Sequence, residues 1–316
     1  MGNVLVTGAA GQIGSELVVQ LRRRHPDQVV VAADVSTMLP LGAKEHGPSI
    51  VLDVTDEARM TRTFDEHGVD TVYHLAGLLS STGEQKPHLA WNVNVGGLYN
   101  VLEAARTRNA KVFWPSSIAV FGPDSPRVET PQNTVMIPNT IYGVSKVAGE
   151  LLCNYYHHRF GVDVRSVRYP GIVSNGTLPG GGTTDYAVHM YYEAVERGQY
   201  TCFVRQDTTL PMMYMPDAIK AAFSIMDAEP EKIRNRTAYN LTAMSFSAGE
   251  LAEEIRKHIP DFRCTFEPDS RQAVADSWPV SIDDSLARTD WGWSPDYDLG
   301  SMTTDMLRVL GERIRK

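Results

Sequence analysis

The chain has little cysteine, no excess of positive charge and no long apolar run, and each shortage closes off a class of function. Three cysteines occur in 316 residues, Cys153, Cys202 and Cys264, far apart and in no Cys-x-x-Cys or Cys/His ligand spacing. Neither a disulfide framework nor a zinc site is written in such a pattern, and a reducing, cytoplasmic setting fits it. Lys and Arg number 30 against 38 Asp and Glu, so no basic field draws in nucleic acid or an anionic membrane surface. No stretch approaches the ~18 apolar residues of a membrane span. The opening MGNVLVTGAAGQIG runs straight into a glycine-rich turn, unlike a secretory leader. What remains, 42% hydrophobic and 22% charged residues with 25 Gly and 18 Pro, is globular usage, which excludes disorder, collagen and coiled coil. A small-molecule or protein partner is expected, and no metal.

At this length a main domain with a smaller lobe is expected. The first half alternates short β-branched runs, at 3–7, 29–34, 49–54, 71–75, 111–116 and 163–168, with stretches of helical period at 12–24, 88–108 and 142–160. The strands are nearly continuous in hydrophobicity, so both faces are covered. The expected fold is α/β, a Rossmann-type doubly wound parallel sheet over 1–170. A smaller C-terminal substrate lobe at 171–316 follows, with about 236–259 (a strand at 236–241, a helix at 248–259) returning to the sheet. Its start is loop-rich, with Pro170, Gly171, Gly176, Pro179 and Gly180 to Gly182, before a helix at 185–197 that ends at Gly198. Two long helices are apolar all round: Val93, Leu98, Val101, Leu102 and Ala105 mark one, and Val147, Leu151, Leu152 and Tyr155 the other. They pack into the core or form a homodimer contact.

The first strand leads into Gly8-Ala-Ala-Gly11-Gln-Ile-Gly14 and then a helix. In that context Gly8 permits the tight turn, Gly11 lets the backbone approach a pyrophosphate, and Gly14 allows close helix-to-strand packing. Asp34 ends the second strand twenty residues past Gly14, where a carboxylate accepts both ribose hydroxyls of adenosine and repels a 2′-phosphate; NAD is expected over NADP. Asp53, with the Val54 backbone, is placed to meet the adenine, or else to cap the next helix. Tyr142 and Lys146 stand four residues apart on a helix, where the cation favours the phenolate of its neighbour. Ser116 and Ser117 end the strand KVFWPSS beside the same cleft.

Together with His74-Leu-Ala-Gly77, Asn92-Val-Asn94 and Val120-Phe-Gly122, these motifs resemble the extended short-chain dehydrogenase/reductase superfamily over essentially the whole chain. Within it, YPGIVSNGTLPGGGTTDYA and LPMMYMPDAIKA resemble the epimerase-type L-threonine 3-dehydrogenases. The resemblance implies Tyr142 as proton acceptor, Lys146 as the group that lowers its pKa and holds the nicotinamide ribose, and a serine that orients the substrate hydroxyl, Ser117 being favoured over Ser116. It further implies NAD contacts from Gln12, Ile13, Leu75, Ala76, Gly77, Asn94 and Tyr169, and a covering Trp278. The activity implied is NAD-dependent oxidation of the β-hydroxyl of L-threonine to 2-amino-3-oxobutyrate. A nucleotide-sugar 4-epimerase or dehydratase is the rival; such enzymes usually carry Arg-Tyr-Phe-Asn where this chain has Arg168-Tyr169-Pro170-Gly171. A catalytically inactive NAD-sensing protein is the second rival. For the ends of a zwitterionic substrate the residues suggest Thr183, Thr184 and Ser80 toward the carboxylate, with Asp185 near the ammonium or ordering the loop. Thr184 also reads as a helix N-cap.

Overall fold

In the computed structural model, which describes residues 2–178 and 180–314, the β-branched runs are strands close to where expected. Met1, Pro179, Arg315 and Lys316 lie outside the described residues. The strands are β1 Asn3–Thr7, β2 Val30–Asp34, β3 Ser49–Val51, β4 Val69–His74, β5 Lys111–Ser117 and β6 Val164–Tyr169. Later come β7 Gly171–Val173, β8 Gln199–Cys202, β9 Thr209–Tyr214, β10 Tyr239–Asn240, β11 Met244–Ser247 and β12 Arg263–Phe266. Seven of them form one sheet in the order β3-β2-β1-β4-β5-β6-β10, and every pairing in it is parallel. This is the doubly wound Rossmann order, with its switch point between β1 and β4 and therefore its crevice at their carboxyl ends.

Helices cover both faces, as the all-apolar strands require. On one face Leu17, Val18 and Leu21 pack with Ala218 and Ala222; on the other, Phe64, Leu98 and Leu102 pack against Leu5 and Val72. A third core, built from Tyr186, Met190, Met212, Leu251, Met302 and Met306, lies in the smaller lobe. There β9 pairs antiparallel with β11 and parallel with β7. The strand at 236–241 does return to the main sheet, as β10 beside β6. The helix after it does not: Leu251 and Ile255 of Ala248–Arg256 join the lobe's core, because its apolar face matches the helices Tyr186–Arg197 and Leu299–Ile314.

The long helix expected at 88–108 is interrupted. It runs as Pro87–Trp91, then a π turn at Asn92–Gly96, then Gly97–Arg108. Such single π turns are frequent at functional sites, and this one carries Asn94. Among the described residues no helix is long and apolar enough to cross a membrane.

Candidate active site

The glycine turn closes as its spacing requires. Gly8 sits at φ 71°, and a Cβ on Gly14 would lie 2.1 Å from the Gly8 carbonyl oxygen, so only glycine lets the helix Gln12–Arg24 rest on the turn. Gly11 caps that helix with no side chain, leaving its first N–H groups free for an anion. Gln12 borders the cleft with its Nε2 buried and unpartnered. These features fit a dinucleotide pyrophosphate. Asp34 lies at the end of β2, outside the cleft; its Oδ2 accepts from the Ala10 N–H and its Oδ1 from the Ser36 N–H, both at 2.9 Å. Each oxygen keeps a lone pair for a ribose hydroxyl. Asp53 is no helix cap: its Oδ1 accepts from the Thr55 backbone and hydroxyl, while Asp56 caps Glu57–His67. The local turn two residues on captures the nearer donors.

The second wall comes from β5 and the helix Ile141–Phe160. Thr140 caps that helix by accepting the Gly143 N–H, which sets Tyr142 in its first turn. A Cβ on Gly143 would sit 2.2 Å from the Ala119 carbonyl, so glycine lets the helix press on the turn that follows Ser117. Tyr142 is thereby brought beside Ser117. Burial pushes the phenol up to about 12, and the Ser117 hydroxyl opposes it. Lys146 is brought down to about 8 by burial, against the pull of Cys153 and Glu150. Its ammonium donates to the Pro115 carbonyl at 2.6 Å and lies 4.5 Å from the Trp114 ring and 5.6 Å from that of Tyr142.

Ser116 and Ser117 face different partners. The Ser116 hydroxyl donates to Glu150 Oε1 at 2.6 Å, so its proton is committed. Ser117 Oγ accepts the Ala119 N–H at 3.2 Å and opens on the cleft. Both serines border the cleft, and they differ in that Ser116 alone donates to Glu150.

Across the cleft Thr183 is buried, its Oγ1 3.3 Å from Ser80 Oγ. Thr184 is not an N-cap. It lies inside a short turn at Thr183–Asp185 capped at Gly182, because Asp185 Oδ2 reaches back to the N–H groups of Gly181 and Gly182. Both bonds fall on Oδ2 and order the loop, while burial raises the pKa of Asp185, which still borders the cleft. Trp278 is buried and borders the cleft.

Both walls bound one cleft of about 470 Å³. From the glycine turn come Gly8, Gly11, Gln12, Ile13 and Gly14, with Leu75 and Gly77 beyond β4; from the other wall come Ser116, Ser117, Tyr142, Lys146 and Tyr169. Ser80, Thr183, Thr184, Asp185 and Trp278 also line it. Ala76, Val54, Asp53 and Asn94 stand outside the lining. Asn94 works from behind, accepting the Leu78 N–H at 2.8 Å and donating to the Leu78 carbonyl and to Ser145. The Tyr169 hydroxyl is spent on the Ala218 carbonyl, so only its ring faces the cleft. Sequence reasoning missed Thr177 and Leu178, which border the cleft. Thr177 is held to Ser15 at 3.2 Å, and Ser174 donates to Glu16 at 2.7 Å. The only signal was their place in a glycine-rich segment.

The model of the NAD dependent epimerase/dehydratase family matches residues 4–242, and the chain belongs to that family. Its cofactor is NAD, and its chemistry is that of an NAD-dependent oxidoreductase. An uncharacterized epimerase/dehydratase of Staphylococcus haemolyticus is 49% identical over 314 residues, 99% of each chain. Among solved structures, L-threonine dehydrogenase from Clostridium difficile superposes with a TM-score of 0.96 at 49% identity, over 99% of this chain and 98% of that one. A monomeric L-threonine 3-dehydrogenase from a metagenome database superposes with a TM-score of 0.95 at 48% identity, over 99% of this chain and 100% of that one.

Proposed function

We propose that the chain oxidises the β-hydroxyl of L-threonine to 2-amino-3-oxobutyrate. The observation that carries the reading is the convergence of Ser117, Tyr142 and Lys146 on the cleft that the glycine turn opens. The L-threonine dehydrogenases at about half identity support the substrate. In this reading NAD, when bound, supplies the hydride acceptor. Gln12 and the free N–H groups of the first helix hold the pyrophosphate, Asp34 the adenosine ribose, and Lys146 the nicotinamide ribose. Ser117 donates to the substrate's β-oxygen, and Tyr142 takes its proton. Asn94 keeps the Leu78 backbone in place behind them. Trp278, with Thr177, Leu178 and Gly182 to Thr184, excludes water, which strengthens each charge interaction inside. The phenol and ammonium give opposite pH demands: Tyr142 must lose a proton while Lys146 keeps one. As a coupled pair they lose two protons in turn, and the rate rises with loss of the first, on the alkaline side of neutrality, and falls with loss of the second.

A zwitterionic substrate needs an answer to its carboxylate, and Thr183 and Thr184 with Ser80 provide it here. Thr184→Ala should raise KM for threonine about tenfold, with NAD affinity and thermal stability close to wild type. An unchanged KM in both Thr183→Ala and Thr184→Ala would remove this loop from the substrate site.

The pair of long helices also leaves Trp91, Tyr99, Leu151 and Tyr155 exposed. Leu98, Val101, Leu102 and Ala105, also read as contact residues, are buried against the sheet instead. The expected homodimer would use the outer face, whereas one similar structure is described as monomeric.

A further inference from the structure

Three rungs of one helix meet three successive residues of one strand. Tyr142, Lys146 and Glu150 stand at i, i+4 and i+8 on Ile141–Phe160 and share a face. Against them β5 sets Ser117, beside Tyr142; the Pro115 carbonyl, accepting from Lys146 at 2.6 Å; and the Ser116 hydroxyl, donating to Glu150 at 2.6 Å. Glu150 is wholly buried. Its carboxylate is gripped by Arg168 of β6, Nε to Oε1 and Nη2 to Oε2, both at 2.8 Å. Arg168 in turn donates to Asn240 Oδ1 on β10 and to the Gln132 carbonyl, each at 2.9 Å. A buried, bidentate, fully bonded anion is a costly feature. Nothing in the proton transfer itself calls for it.

The surroundings of Lys146 say what it does. From its own helix Tyr142, Glu150 and Cys153 face it; from β5, the Trp114 ring and the Pro115 carbonyl; from β4, His74, whose buried imidazole is held neutral, at about 3. Burial pushes the Cys153 thiol well above its usual range, so it too is neutral. Glu150 is the only anion in this group.

We propose that Glu150 is a positioning residue: it withdraws Ser116 from the reaction centre and holds Lys146 as an ammonium, leaving Ser117 and Tyr142 to meet the substrate. This rests on the roles given above to Tyr142 and Lys146. The Arg168 pair fixes the register of helix on strand, so the carboxylate acts on both groups from one rigid point.

The test is the pH dependence of Glu150→Gln. A neighbouring anion favours the charged form of a lysine; without it Lys146 loses its proton at lower pH. The alkaline limb of kcat/KM should therefore move down by about half to one pH unit. The limb of NADH binding, read by fluorescence titration without substrate, should move with it. Should the lone guanidinium prevent folding, Glu150→Gln/Arg168→Met removes both charges at similar volume, and the same direction is expected. A loss equal at every pH, with both limbs in their wild-type positions, would mean a purely structural role and overturn the proposal. A shifted NADH limb in a protein whose wild type leaves threonine untouched would overturn the substrate reading and keep the role of Glu150.

Discussion

Tyr142→Phe is expected to lower kcat by about 10²- to 10⁴-fold, the range a positioned acid or base contributes, while NAD affinity stays within a few-fold. The ring remains buried in the first turn of its helix, so the cleft keeps its wall. Only the phenolic hydroxyl beside Ser117 is lost. No neighbour replaces it. Ser116 is committed to Glu150, and His74, which titrates at about 3, is buried with its Nδ1 on Thr7. Stopped-flow reduction of NAD with threonine, beside an NADH titration, separates chemistry from binding. A variant that keeps more than about a tenth of the wild-type rate would take Tyr142 out of the proton transfer.

Gly14→Ala is the second large effect. The added methyl would lie 2.1 Å from the Gly8 oxygen and 2.9 Å from its carbonyl carbon, and backbone cannot give way as a flexible side chain can. The helix must move off the turn, at a cost of about 1–3 kcal/mol in strain. Paid at the pyrophosphate cradle, that is a loss of about 10- to 100-fold in NAD affinity. Gly311→Ala, where a Cβ meets no atom within 4 Å, serves as the control and should bind NAD normally. Equal affinities for the two variants would break the link between the glycine turn and the cofactor.

The main sheet was legible because its strands are apolar on both faces and its helices keep one period, as at Gln12–Arg24, where the expected and observed bounds coincide. Tyr142 and Lys146 were legible because their relation is local, four residues along a helix. What sequence reasoning could not settle depends on contacts between distant residues. Ser116 and Ser117 differ only in which one meets Glu150, a partner 34 residues away from Ser116. Thr184 looked like a cap because Thr before Asp commonly starts a helix; Asp185 reaching back to Gly181 and Gly182 moved the cap forward. The π turn at Asn92–Gly96 has no pattern in hydrophobic period. The helix at 248–256 was assigned to the wrong layer because an apolar stripe does not name its partner.

One measurement bears most directly on the central claim: absorbance of reduced nicotinamide when the purified chain is given NAD and L-threonine, with UDP-galactose and UDP-glucose as parallel substrates and NADP as parallel cofactor. The account predicts steady NADH formation with threonine and NAD, little with NADP because of Asp34, and no change with either UDP-sugar. NADH formation absent with threonine while UDP-galactose and UDP-glucose interconvert would contradict it, and would give the Tyr142 cleft to a nucleotide sugar instead.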